Sequence, residues 1–112
     1  PCTGSGTWRR NPDAKWRLRP GALEVRGREQ QEALDLGARL VKPGGALMDV
    51  TCSVFPEENE DQAAAFLSRR PDFTEASLTP DAPHRKRTHG VQFNPALTGT
   101  DGFYVCRLQR SV

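Results

Sequence analysis

Apolar and polar positions along this chain fall into two periods, and they sketch a helix, a strand, a helix and two further strands. Ala33, Leu34, Gly37, Ala38 and Val41 recur at i, i+1, i+4, i+5 and i+8, and Leu36 and Leu40 widen the stripe. That spacing predicts a helix from near Arg26 to about Val41, with a broad face suited to lie on a sheet. It should stop at Lys42-Pro43-Gly44-Gly45, where proline cannot continue the ladder and glycine can take a left-handed cap. The next run, Ala46-Leu47-Met48-Asp49-Val50-Thr51, is short and largely apolar, which predicts a strand covered on both faces with Asp49 as its exception.

A second helix is expected from around 56–59 to Arg70. Glu57, Glu58, Glu60 and Asp61 stand in its first turns and Arg69 and Arg70 in its last, matching the two ends of a helix dipole. Ala63, Phe66, Leu67 and Arg70 share one face, and Pro71 closes the element. Residues 73–78 suit a short strand. Residues 79–90 are polar and contain the cluster His84-Arg85-Lys86-Arg87, so they are expected to be a surface loop with His84 and His89 exposed. Turn residues at 98–102 then precede a last strand pattern, Phe103-Tyr104-Val105-Cys106-Arg107-Leu108, which puts Cys106 in the core. Residues 1–22 have neither period and read as a loop anchored by Trp8 and Trp16. Helix, buried strand and helix in succession imply α/β architecture.

Composition changes this picture little. A chain of 112 residues with 36% hydrophobic and 27% charged residues has the make-up of one ordinary soluble domain, and no run approaches the length of a bilayer span. A cytoplasmic location is expected. Charge is more telling in its distribution than in its total of +2: residues 1–28 hold Arg9, Arg10, Lys15, Arg17, Arg19, Arg26 and Arg28 against Asp13 and Glu24. Such a stretch can contact RNA phosphates in a salt-sensitive, sequence-independent way, while Trp8 and Trp16 can stack on bases or anchor the loop. Cys2, Cys52 and Cys106 form no C-x-x-C pair and are joined by only two histidines, which argues against a zinc site and against a disulfide framework.

Cys52 stands where the first strand ends and a helix is about to begin. Ligands of open α/β sheets bind outside the carboxyl ends of the strands, and a nearby helix N-terminus lowers a thiol pKa. The plainer reading is a small buried apolar residue. The loop Pro1-Cys2-Thr3-Gly4-Ser5-Gly6-Thr7 offers a second thiol beside glycines that permit tight turns. It lacks the Gly-Lys-Ser/Thr ending of a phosphate-cradling loop and the full G-x-G-x-x-G fingerprint.

Together, PCTGSGTWRRNPDAKW, LVKPGGALMDVTCSVFPEENEDQ and GTDGFYVCRL resemble successive motifs of the Sun/nucleolar-protein family of S-adenosylmethionine-dependent RNA (cytosine-5) methyltransferases. The likeness covers most of residues 1–73 and 99–108. It implies that Cys52 is the nucleophile that adds to carbon 6 of the target cytosine, making carbon 5 reactive toward the methyl group. It implies that Cys2 assists proton removal from carbon 5 and product release, and that the RNA is ribosomal and bacterial; by the charge pattern above, Arg9, Arg10, Lys15 and Arg17 are the candidates to contact it. The family's glycine-rich cofactor loop and acidic ribose ligand have no counterpart here, so no residue is assigned to the cofactor, and the chain is expected to be an inactive C-terminal part of a longer enzyme.

The fold implied is α/β, the C-terminal half of a Rossmann-like methyltransferase sheet of order 3-2-1-4-5-7-6. Strand 5 would lie at about 46–51, strand 6 at about 73–78, and strand 7 at about 102–109, antiparallel between them. The chain then divides into an active-site loop (1–25), an α-β-α-β unit (26–78), a variable loop (79–98) and a final strand (99–112). Strand 5 would have an open edge, from which self-association is expected. Two other readings are an RNA-binding module without chemistry and a thiol-dependent enzyme of another kind. The lack of a histidine near either cysteine in the sequence weighs against the latter.

Overall fold

A computed structural model of the chain describes residues 2–8, 10, 12–13, 16, 19–80, 84–94 and 101–112. After a single 3-10 turn at Ser5–Thr7 come helix α1 (Ala22–Leu40), strand β1 (Ala46–Thr51), a 3-10 turn (Pro56–Glu58) and helix α2 (Glu60–Arg69). Four strands follow: β2 (Phe73–Ala76), β3 (Arg85–Lys86), β4 (Val91–Phe93) and β5 (Phe103–Arg110).

The last strand organises the sheet. Along one edge β5 pairs antiparallel with all of β1, from Ala46↔Gln109 to Thr51↔Tyr104. Its other edge is shared: β2 takes the C-terminal half, from Phe73↔Arg110 to Ala76↔Arg107, and β4 takes the start, from Val91↔Val105 to Phe93↔Phe103. β3 lies outside β4. β1 and β2 therefore run parallel to each other with an antiparallel strand between them, the arrangement expected for strands 5, 7 and 6.

Both helices cover one face of this sheet. Leu34 and Ala38 from α1 and Ala63 and Phe66 from α2 pack with Phe73, Tyr104, Cys106 and Leu108 in one core. The register places Leu47, Asp49 and Thr51 opposite Leu108, Cys106 and Tyr104, so the inward side of β1 belongs to this layer. Burial of Cys106 pushes its thiol up to about 12, as its place in the core requires.

Four expectations need correction. α1 begins at Ala22 rather than near Arg26, because Gly21 adopts a left-handed conformation (φ 79°) that turns the chain directly into the helix. Its buried stripe is also narrower than the sequence suggests: Gln30, Leu34 and Ala38 are buried while Ala33, Leu36 and Leu40 are exposed. β1 is not covered on both faces. With both helices on one side, Met48 (48% exposed) and Val50 (59%) face outward, and no strand flanks the outer edge of β1 among the described residues. Finally, the polar segment expected as a loop contains β3 and β4, with Val91 and Gln92 buried. His89 is half-buried against Glu75 (Nδ1 to Oε1, 2.9 Å), and the half-buried His84 ring lies 6.2 Å from that of Phe93.

Candidate active site

Cys52 follows β1 immediately, and the segment of residues 2–8 folds back across it. The Gly6 amide donates to the Cys52 carbonyl (2.8 Å), and the Gly102 amide donates to the Gly6 carbonyl (2.8 Å). Gly6 is thus held between two backbones. A Cβ at this position would stand 2.2 Å from the Gly102 carbonyl oxygen and 2.7 Å from that of Cys52, so only glycine permits the approach. The result brings two thiols from fifty residues apart to 3.3 Å between Sγ atoms.

Both cysteines are free and half-buried. Burial, with the hydrogen bond to Cys2 and the negative charge of Glu58 adding to it, pushes the Cys52 thiol up to about 11. The helix effect expected from sequence does not reach it. α2 starts only at Glu60, and the turn in between holds Glu58, whose charge raises the thiol pKa. Cys52 is therefore a thiol at neutral pH.

A buried polar network holds the two segments in place. Glu58 (1% exposed) accepts from the Thr3 amide (2.7 Å), the Thr3 hydroxyl (2.6 Å) and the Ser53 hydroxyl (2.6 Å). Ser5 and Ser53 share a hydroxyl contact of 3.1 Å, and the Val54 amide donates to Ser5 Oγ. Asn59 receives the Thr51 hydroxyl and donates to the Ser53 carbonyl and to Gln92 Oε1, and the Gln92 amide nitrogen reaches the Ser53 and Phe103 carbonyls. Apart from the half-buried Thr3, every one of these side chains is nine-tenths or more buried, where an unsatisfied polar group is costly.

From the sequence, Glu58, Asn59 and Glu60 suit either capping that orders the Cys52 loop or a solvated helix start equally well. The structure separates them: Glu58 and Asn59 are interior, while Glu60 pairs with Arg87. Ser5, Ser53 and Gln92 were missed. For Gln92 the only signal was the short alternation Val91-Gln92-Phe93 after Gly90, too brief to mark a strand. Trp8 anchors its loop edge-on against Phe55, with ring centroids 5.7 Å apart, whereas Trp16 is 79% exposed.

Of the basic residues singled out, Arg10 is exposed and pairs with Asp101 at 2.7 Å; Arg9, Lys15 and Arg17 lie outside the described residues. A cleft of about 420 Å³ opens beside Cys2, lined among others by Arg19, Val25 and Arg26. No group of three or more His, Cys, Asp or Glu side chains among the described residues could hold a metal ion. No helix among them is long and apolar enough to cross a membrane.

The family model described as 16S rRNA methyltransferase RsmB/F matches residues 1–109. The chain belongs to this family. It is 44% identical over 108 residues to a ribosomal RNA small subunit methyltransferase B from Cronobacter sakazakii, covering 96% of this chain and 24% of that protein. The crystal structure of the protein PH0851 superposes with a TM-score of 0.91 at 38% identity, over 98% of this chain and 25% of the other. A methyltransferase homologue from Pyrococcus horikoshii gives a TM-score of 0.78 at 26% identity, over 98% and 36% of the two chains. The chain thus spans about a quarter of the length of the curated relative. Its fold is mixed α/β, as expected from sequence, and forms a part of a methyltransferase fold.

Proposed function

We propose that the chain forms the cysteine-bearing part of an RNA (cytosine-5) methyltransferase acting on ribosomal RNA. The observation that carries this reading is the 3.3 Å approach of Cys2 and Cys52 at the carboxyl end of β1. Cys52, once deprotonated, adds to carbon 6 of cytosine, and the displaced ring electrons make carbon 5 nucleophilic toward a methyl group. After methylation carbon 5 gives up its proton with the assistance of Cys2. The C–H electron pair reforms the carbon 5–carbon 6 double bond as the C–S bond to Cys52 breaks. The 3.3 Å approach of Cys2 to Cys52 supports such a relay.

S-adenosylmethionine would supply the methyl group. The described residues do not fit a seat for it: Glu58 is committed to Thr3 and Ser53, and Asp49 is turned toward α1. Methyl transfer therefore belongs to the longer protein that carries this segment, and the 112-residue chain alone is inactive. Arg9, Arg10, Lys15 and Arg17 are proposed to contact RNA phosphates, Arg10 by exchanging Asp101 for a phosphate.

The test is methyl transfer to ribosomal RNA by the full-length protein. Cys52→Ala should abolish transfer, and Cys2→Ala should accumulate a covalent protein–RNA adduct visible on a denaturing gel. A Cys52→Ala protein that still methylates cytosine would refute the assignment.

A further inference from the structure

We propose that Glu58 is a positioning residue: its carboxylate ties the turn after Cys2 to the turn after Cys52 and so sets the distance between the two thiols. The inference rests on the two-cysteine reading above. The residue after each cysteine, Thr3 in one case and Ser53 in the other, hydrogen-bonds this one carboxylate. Three donors converge on it at 2.6–2.7 Å. Bonds to an ionised acceptor in a buried site are the short and strong kind, and Glu58 itself is only 1% exposed.

The other links between the segments cannot do this alone. The Gly6–Cys52 backbone bond fixes the chains four residues beyond Cys2, and the Ser5 contacts with Ser53 and the Val54 amide act three residues beyond it. Glu58 acts directly at the residue next to each thiol. It is itself fixed by the 3-10 turn, in which its amide donates to the Phe55 carbonyl (3.1 Å). A neutral glutamine of the same shape would bring an N–H toward groups that already donate, so the clamp specifically needs a carboxylate.

The coupling between the thiols can be read directly as the readiness of the pair to form a disulfide. In glutathione buffers two thiols and one oxidised glutathione give one intramolecular disulfide and two reduced glutathiones, and peptide mass mapping measures the Cys2–Cys52 product. In the 112-residue chain, Glu58→Gln should lower the effective concentration of the pair by about tenfold or more, the scale of losing a charged hydrogen bond. Thr3→Val, which removes only the hydroxyl donor, should lower it by less.

A second readout separates positioning from packing. The titratable groups facing Cys52 are Cys2 and Glu58. Glu58→Gln removes a negative neighbour and should move the midpoint of Cys52 alkylation to lower pH, whereas Ser53→Ala breaks the same network but keeps the charge and should not. A Glu58→Gln chain that folds like the wild type by circular dichroism and keeps its thiol coupling overturns the proposal. Should that variant fail to fold, unchanged coupling in Thr3→Val overturns it equally. In the full-length protein Glu58→Gln should lower kcat with KM for RNA retained. A wild-type protein that transfers no methyl group to RNA would instead sink the methyltransferase reading, while the thiol measurement on the chain stands independently.

Discussion

Asp49 offers a sharp test of how this fold distributes its polar groups. It sits on β1 facing α1, beside a cavity of about 180 Å³ that it shares with Gln30, Leu34 and Leu47. Its Oδ2 is buried without a hydrogen-bond partner, as are both amide atoms of Gln30. Burial raises its pKa from the ordinary 3.8 to about 6. Below about pH 4 the carboxyl is protonated in both the folded and the unfolded chain, and nothing is lost. Between about pH 4 and 6 the unfolded chain releases the proton while the folded one retains it, so stability falls as pH rises through this window. Above it the cost is complete, and a shift from 3.8 to about 6 corresponds to about 3 kcal/mol. Asp49→Asn removes the titration without changing shape. Urea denaturation from pH 4 to 7, followed by circular dichroism, should show the variant gaining about 3 kcal/mol over the wild type across that range. A stability difference that stays flat with pH would refute the assignment of Asp49 as an acid whose ionisation the fold penalises.

Three other expectations follow from single contacts. Gly6→Ala forces a methyl group against the Gly102 and Cys52 carbonyls, and should cost about 1–3 kcal/mol in denaturant midpoint while separating the two thiols. Fully buried Tyr104 donates its hydroxyl to the His89 carbonyl at 2.7 Å, so Tyr104→Phe should cost about 1 kcal/mol and raise amide exchange in the segment between β3 and β4. The open edge of β1, with Met48 and Val50 exposed beside it, should let the isolated chain self-associate; strictly monomeric sedimentation at high concentration would contradict this.

The elements legible in the sequence are those whose signal is local. β1 occupies 46–51 as its apolar run indicates, because a Gly-Gly turn and a strand-length stretch leave little choice of boundary. α2 follows its acidic start and basic end, and the two cysteines could be singled out because each stands in a distinctive run of neighbours. The face α1 buries was less legible. Leu36 and Leu40 are as apolar as Leu34, and only the position of the sheet decides that Leu34 is covered and they are not.

The site itself is where the sequence stopped. That Cys2 and Cys52 are reactive candidates is written in their flanks, but their separation depends on Gly6 fitting between Cys52 and Gly102, a meeting of three distant segments. The state of the Cys52 thiol was expected from its place before a helix and came out reversed, because pKa follows burial and neighbouring charge, and both are tertiary quantities. Glu58 looked like one of four acids at a helix start until the fold enclosed it between Thr3 and Ser53. Composition and spacing determine which residues can do chemistry here; the packing of residues 2–8 against the end of β1 decides which of them meet, because hydrogen bonds and thiol contacts act over a few ångströms and a linear sequence has no such distance.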